Sequence, residues 1–82
     1  MTRLLFFGRV SDLTGCDSEQ VALPDHITNL ERLRDWMDSR FSTGGAFLDP
    51  TIRIAIDNEI RTETDILSQA QEVAFLPPVG GG

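Results

Sequence analysis

Leu30, Leu33, Met37 and Phe41 recur at three- and four-residue intervals, with Trp36 beside them. This one helical stripe constrains the fold more than any other stretch of the chain. Glu31, Arg32, Arg34, Asp35 and Asp38 fall mostly on the other side, so the spacing predicts an amphipathic helix from about Asn29 to Arg40. Thr28-Asn29-Leu30-Glu31 reads as a capping box, with Thr28 accepting from the Glu31 N–H and the Glu31 side chain reaching back. A chain of 82 residues is one domain with a small core. With one such helix available, the remaining apolar segments are read as strands of one sheet covered on one face.

Those segments lie on both sides of the helix. Leu4-Leu5-Phe6-Phe7 is a short apolar run without strict alternation, which suits a strand covered on both faces, and Gly8 ends it. Ser11 to Gly15 reads as one helical turn closed by Gly15. Ser18 to Leu23 is a second strand, an antiparallel neighbour of the first, stopped by Pro24. After the helix, Ala46-Phe47-Leu48 is expected to cover the edge of the core. Ile52, Ile54 and Ile56 alternate with Arg53, Ala55 and Asp57, as in a half-buried strand. Asp57-Asn58 is a tight turn into a short return strand, Glu59-Ile60-Arg61. Thr62 to Gln71 is polar, with Ile66 and Leu67 as its anchor, and Glu72 to Leu76 is the last strand.

The order β-β-α-β-β-β predicts an α+β fold of the β-grasp (ubiquitin-like) kind. Its mixed sheet carries one main helix on one face, and the last strand enters the middle parallel to the first. Residues 1–76 form the domain and 77–82 an extended tail. If Leu4, Phe6, Val73 and Phe75 face the helix, alternation puts Leu5, Phe7 and Leu76 on the open face, joined by Ile60. Large apolar side chains on an uncovered sheet face point to a partner surface.

Charge and composition narrow the chemistry. The net charge of −6 argues against nucleic-acid binding, which draws on a basic face. All seven basic residues are arginine, so the chain offers no lysine for Schiff-base chemistry or side-chain acylation. Cys16 and His26 are single, which leaves no internal disulfide and no cysteine-rich or histidine-based metal site. No apolar run approaches the ~20 residues needed to span a membrane. Met1-Thr2-Arg3 leads into its apolar run without a cleavage-site pattern, so no signal peptide is expected and a cytoplasmic protein is.

The working end is the tail Pro77-Pro78-Val79-Gly80-Gly81-Gly82. Proline has no N–H to donate, so Pro77 and Pro78 stop further strand pairing. Glycines without Cβ atoms can enter a channel too narrow for any side chain. The group delivered is the terminal carboxylate of Gly82. Six extended residues reach roughly 20 Å.

Leu5-Phe6-Phe7-Gly8, the block Glu72 to Val79 and the closing Gly81-Gly82 resemble the small subunit of molybdopterin synthase, a ubiquitin-like sulfur carrier. The resemblance runs the length of the chain, and its terminal block is the specific part. Two departures are a Gln69-Ala70-Gln71 turn where the family often has Asp-Gly-Asp, and Gly80 where it often has Thr or Ser. The resemblance implies that an E1-like adenylyltransferase adenylates Gly82 with ATP. A sulfur donor of cysteine desulfurase or rhodanese type then leaves a thiocarboxylate, with no cofactor or metal otherwise bound. It also implies docking on the large synthase subunit, in a heterotetramer, and sulfur donation to cyclic pyranopterin monophosphate in molybdenum cofactor biosynthesis. Gly82 would be the reacting residue, and Gly81, Gly80, Val79, Pro78, Pro77, Leu76, Phe7 and Ile60 the partner-binding ones. The chain is then not an enzyme alone. Competing readings are a related carrier for thiamine or tRNA thiolation, a protein modifier, and a non-catalytic ubiquitin-like binding module.

Overall fold

The structure is a computed structural model that describes residues 1–61 and 72–78. The expected anchor Ile66-Leu67, the turn at Gln69-Ala70-Gln71, and Val79, Gly80, Gly81 and Gly82 of the tail lie outside the described residues.

Five strands form one mixed sheet: β1 (Thr2–Phe6), β2 (Ser18–Val21), β3 (Arg53–Ile56), β4 (Glu59–Arg61) and β5 (Glu72–Leu76), in the order β2-β1-β5-β3-β4. The last strand is therefore the central one. It runs parallel to β1, with Leu4 opposite Val73 and Phe6 opposite Phe75, and antiparallel to β3, with Ile54 opposite Phe75. This is the β-grasp arrangement expected from the element order. Helix α1 (Val10–Thr14) is the short turn after β1, ended by Gly15 at φ +78°, and α2 (Leu30–Phe41) is the main helix. The β3–β4 connection turns through Asp57 and Asn58, both at positive φ.

Alternation sorts the two faces as expected. Leu4, Phe6, Val73, Phe75, Ile54 and Ile56 are buried on the helix side, against Leu30, Leu33 and Met37 of α2. The Phe75 ring stacks on Phe6 at 5.6 Å and meets Phe47 edge-on at 5.4 Å. Phe47, expected at the rim, is instead fully buried in the centre of the core. A 3-10 turn, Ala46–Leu48, begins after Gly45 in a left-handed conformation and swings that ring inward.

Two details of α2 differ from expectation. The N-cap is Asn29, whose side chain accepts from the Arg32 N–H at 2.9 Å, one residue later than the capping box read at Thr28. Asn and Thr both cap well, so neighbouring candidates compete and the backbone entry decides. Arg34, expected on the solvent side, is buried. Its guanidinium donates to the carbonyls of Phe47 (3.0 Å), Asp49 (3.1 Å) and Ile52 (2.6 Å). It thereby ties the helix to the segment that leads into β3.

Candidate functional site

The last described residues, Pro77 and Pro78, leave the sheet at the end of its central strand. The Phe7 N–H donates to the Phe75 carbonyl at 3.1 Å, which carries the β1–β5 ladder one step beyond β1. Gly8 then turns the chain away at φ +52°. Its carbonyl accepts from the Ser11 N–H (3.1 Å) and the Ser11 hydroxyl (2.8 Å), which pins the turn to α1. Pro77 packs on this turn: a Cβ built on Gly8 would stand 3.0 Å from Pro77 Cγ. A groove of about 390 Å³ borders the same root, lined by Val10, Leu13, Ile52, Pro77 and Pro78 with Arg9 beside them.

The open face of the sheet adjoins this exit. Register aligns Leu5, Ala74, Ala55 and Ile60 in one row across β1, β5, β3 and β4. One row nearer the tail, Leu76 stands opposite Arg53, with Phe7 on its other side. Phe7 is 46% and Ile60 57% exposed, whereas Leu5 and Leu76 are half-buried. The three open-face residues singled out from the sequence, Phe7, Ile60 and Leu76, thus share one surface beside the tail root. Arg53 was missed there, although its place between Ile52 and Ile54 puts it on the outer face by alternation alone.

Other chemistry-bearing residues do not converge on this surface. His26 is exposed in the loop before α2. Cys16 is half-buried beside the Thr14 hydroxyl, which donates to the Cys16 carbonyl at 2.9 Å. Among the described residues no three His, Cys, Asp or Glu side chains are grouped to hold a metal, and no helix is long and apolar enough to cross a membrane. Two carboxylates are held below their ordinary range, both by loop contacts. The Thr43 hydroxyl lowers Asp38, opposed in part by desolvation and aided by the Gly45 N–H. The Thr51 N–H, at 2.9 Å, lowers Asp49, and the Thr51 hydroxyl adds to it. What the described residues offer is a folded platform with an exposed apolar face beside the exit of its central strand.

Known proteins are similar to this chain in sequence and in fold. The chain is similar to the molybdopterin synthase sulfur carrier subunit of Escherichia coli (strain K12), at 34% identity over the whole of both chains. Its fold is similar to that of a Pyrococcus furiosus protein assigned provisionally as molybdopterin converting factor, subunit 1. That match has a TM-score of 0.77 at 21% identity and covers 95% of this chain and 97% of the other. The ThiS family profile matches residues 4–82. With that profile spanning nearly every residue and a relative matching end to end, the chain belongs to the ThiS family, the ubiquitin-like sulfur carriers that its terminal block resembles.

Proposed function

We propose that this chain is the sulfur-carrying small subunit of a molybdopterin synthase, with residues 1–76 as the docking domain and 77–82 as the delivering tail. The observation that carries the reading is the end-to-end match to a protein named for that role. The exit of the central strand into Pro77 and Pro78 beside an exposed apolar face supports it.

A free carboxylate is a poor electrophile. The Gly82 carboxylate therefore attacks the α-phosphate of ATP on an E1-like adenylyltransferase, and pyrophosphate leaves. The nucleophilic sulfur of a donor, of cysteine desulfurase or rhodanese type, then attacks the acyl-adenylate carbon and AMP leaves. With a persulfide donor the first product is an acyl disulfide. A second thiol then attacks the donor-side sulfur of that S–S bond, forms a disulfide with the donor and releases a thiocarboxylate on Gly82. The loaded carrier docks on the large synthase subunit through Phe7, Ile60 and Leu76, and its sulfur attacks cyclic pyranopterin monophosphate. Water then cleaves the acyl–sulfur bond, leaving the sulfur on the pterin and freeing the Gly82 carboxylate, and two such transfers build the dithiolene. The protein works in the cytoplasm, where ATP is available.

This chain's own part is positional. Pro77, braced on Gly8, gives the tail a fixed origin. Four residues, the length of Val79 to Gly82, can span at most about 13 Å when fully extended. A nucleophile delivered on so short an arm by a docked domain acts at high effective concentration. The partners supply ATP binding, acid–base groups and positive charge for phosphate.

The test is intact mass spectrometry after incubation with ATP, the cognate activating enzyme and a sulfur source. A mass gain matching one oxygen exchanged for sulfur, absent when Gly82 is deleted, is the expected result. No gain with an activating enzyme shown to be active on another carrier would overturn the reading in favour of an inert ubiquitin-like module.

A further inference from the structure

We infer that Arg53 is a specificity-determining docking residue: the large subunit that accepts this carrier must present a carboxylate to it, beside the apolar surface that covers Phe7 and Leu76. The inference rests on the carrier reading above and names a property of the partner which that reading leaves open.

Arg53 stands directly opposite Leu76 in the antiparallel β3–β5 pair, so the two side chains share the open face. Phe7 flanks Leu76 on the other side. This is the row from which Pro77 departs. Whatever covers Phe7 and Leu76 while taking up the tail therefore reaches the Arg53 guanidinium as well.

Three other arginines have hydrogen-bond or ion-pair partners. Arg34 is satisfied by three backbone carbonyls, Arg40 by Glu19 at 2.6 Å and Arg61 by Glu59 at 3.1 Å. Arg3, at the far end of the open face, lies opposite Glu72. Arg53 is exposed, and among the described residues its cross-strand neighbour is the apolar Leu76. Stripping water from an unpaired guanidinium is costly unless the covering surface returns an anion or equivalent acceptors. An apolar partner surface without a carboxylate there would be rejected, which is how one charge confers specificity. The contact is also unusual in sign, because this protein carries a net charge of −6 and offers few cations to an acidic partner.

The experiment is calorimetric titration of the full chain with the molybdopterin synthase large subunit of the same organism, at two salt concentrations. Arg53→Glu is expected to raise Kd by about 10-fold or more and Arg53→Gln by a smaller factor, with the salt dependence of binding reduced in both. Arg32→Glu, on the exposed side of α2, makes the same change in net charge and is expected to leave Kd within about twofold. Circular dichroism and urea melts establish that each variant folds; should Arg53→Glu fail to fold, Arg53→Gln decides. Equal binding by Arg53→Gln and wild type, or equal weakening by Arg53→Glu and Arg32→Glu, overturns the inference. Wild-type protein that does not bind the large subunit at all overturns the carrier reading, and the Arg53 inference with it.

Discussion

Gly8 and Pro77 pack together across the end of the sheet: a Cβ on Gly8 would stand only 3.0 Å from Pro77 Cγ. One residue is the turn that closes β1 and the other opens the tail, seventy residues apart in approximate count but adjacent because β5 lies parallel to β1. Gly8 meets two demands at once. At φ +52° any side chain is strained, and the direction a side chain would take is occupied by the proline ring.

Gly8→Ala is therefore expected to cost about 1 kcal/mol from the left-handed backbone, and Gly8→Val more, because β-branching adds to the strain and pushes on Pro77. Urea denaturation measures both. Pro77→Ala in the Gly8→Val background should recover the steric part and leave the backbone part. An additive double variant would mean that the two residues do not press on one another.

Arg34 is the residue whose loss should be felt furthest from its own position. Its guanidinium satisfies the carbonyls of Phe47, Asp49 and Ile52 inside the protein. Arg34→Met keeps much of the apolar stem but leaves those carbonyls without that donor. The expected cost is about 3 kcal/mol, with Arg34→Lys in between, since an ammonium lacks the planar fork. Thermal melts give the ranking, and Met tolerated as well as Lys would contradict it.

How much of this was legible beforehand depends on whether one residue's neighbours in sequence determine its environment. Strand alternation did so for Leu4, Phe6, Val73 and Phe75, all buried, and for Phe7 and Ile60, both exposed. The Asp57-Asn58 turn and the Gly15 helix end were equally local, because few residues accept positive φ. Arg34 is the exception, because a charged side chain is expected in solvent and this one is buried. It lies four residues after Leu30 and three before Met37, within the apolar stripe. Its carbonyl partners come from 13 to 18 residues away, beyond the reach of any periodicity. Phe47 was misplaced at the rim for the same reason: a three-residue turn carries no pattern, and only the fold shows Phe75 waiting for its ring. At the site, the exposure of Phe7 and Ile60 on the open face could be read from spacing. The Gly8–Pro77 contact could not, because it depends on β5 being parallel to β1.

Phe47→Ala should accordingly behave as a central core deletion. The ring is fully buried, edge-on to Phe75 and 6.4 Å from Phe41. Removing it is expected to cost about 3–5 kcal/mol, and Phe47→Leu roughly half as much. A domain of this size has modest stability to lose, so the alanine variant should be partly unfolded at 37 °C by circular dichroism. A melting temperature close to wild type would place Phe47 outside the core.

Phe7→Asp tests the opposite case. Phe7 is nearly half exposed on the open face, so the substitution is expected to change stability by no more than about 0.5 kcal/mol. Binding to the large synthase subunit should weaken by about 10-fold or more, since a charge would replace an aromatic anchor. Unchanged binding would mean that the docking surface lies elsewhere.

Asp38 and Asp49 predict how the fold responds to acid. The Thr43 hydroxyl is the main cause of the lowered Asp38 pKa, and the Thr51 N–H of the lowered Asp49 pKa. A carboxylate whose pKa is lower when folded binds protons less readily in the native state than in the unfolded one. Its contribution is therefore complete above the unfolded value, near 4, and is lost as pH falls through the folded value. Both groups brace loops on either side of Phe47: Asp38 accepts from Thr43 and Gly45, and Asp49 from Thr51. Asp38→Asn should lower the melting temperature at pH 7, and the gap from wild type should close as pH drops from about 5 towards 2. Asp38→Asn combined with Asp49→Asn should flatten the profile further, because neither site then has a charge to lose. The measurement is melting temperature against pH for wild type and the two variants. A gap that stays constant down to the lowest pH would show that ionisation of Asp38 does not stabilise the loop, and that the amide is penalised for its shape alone.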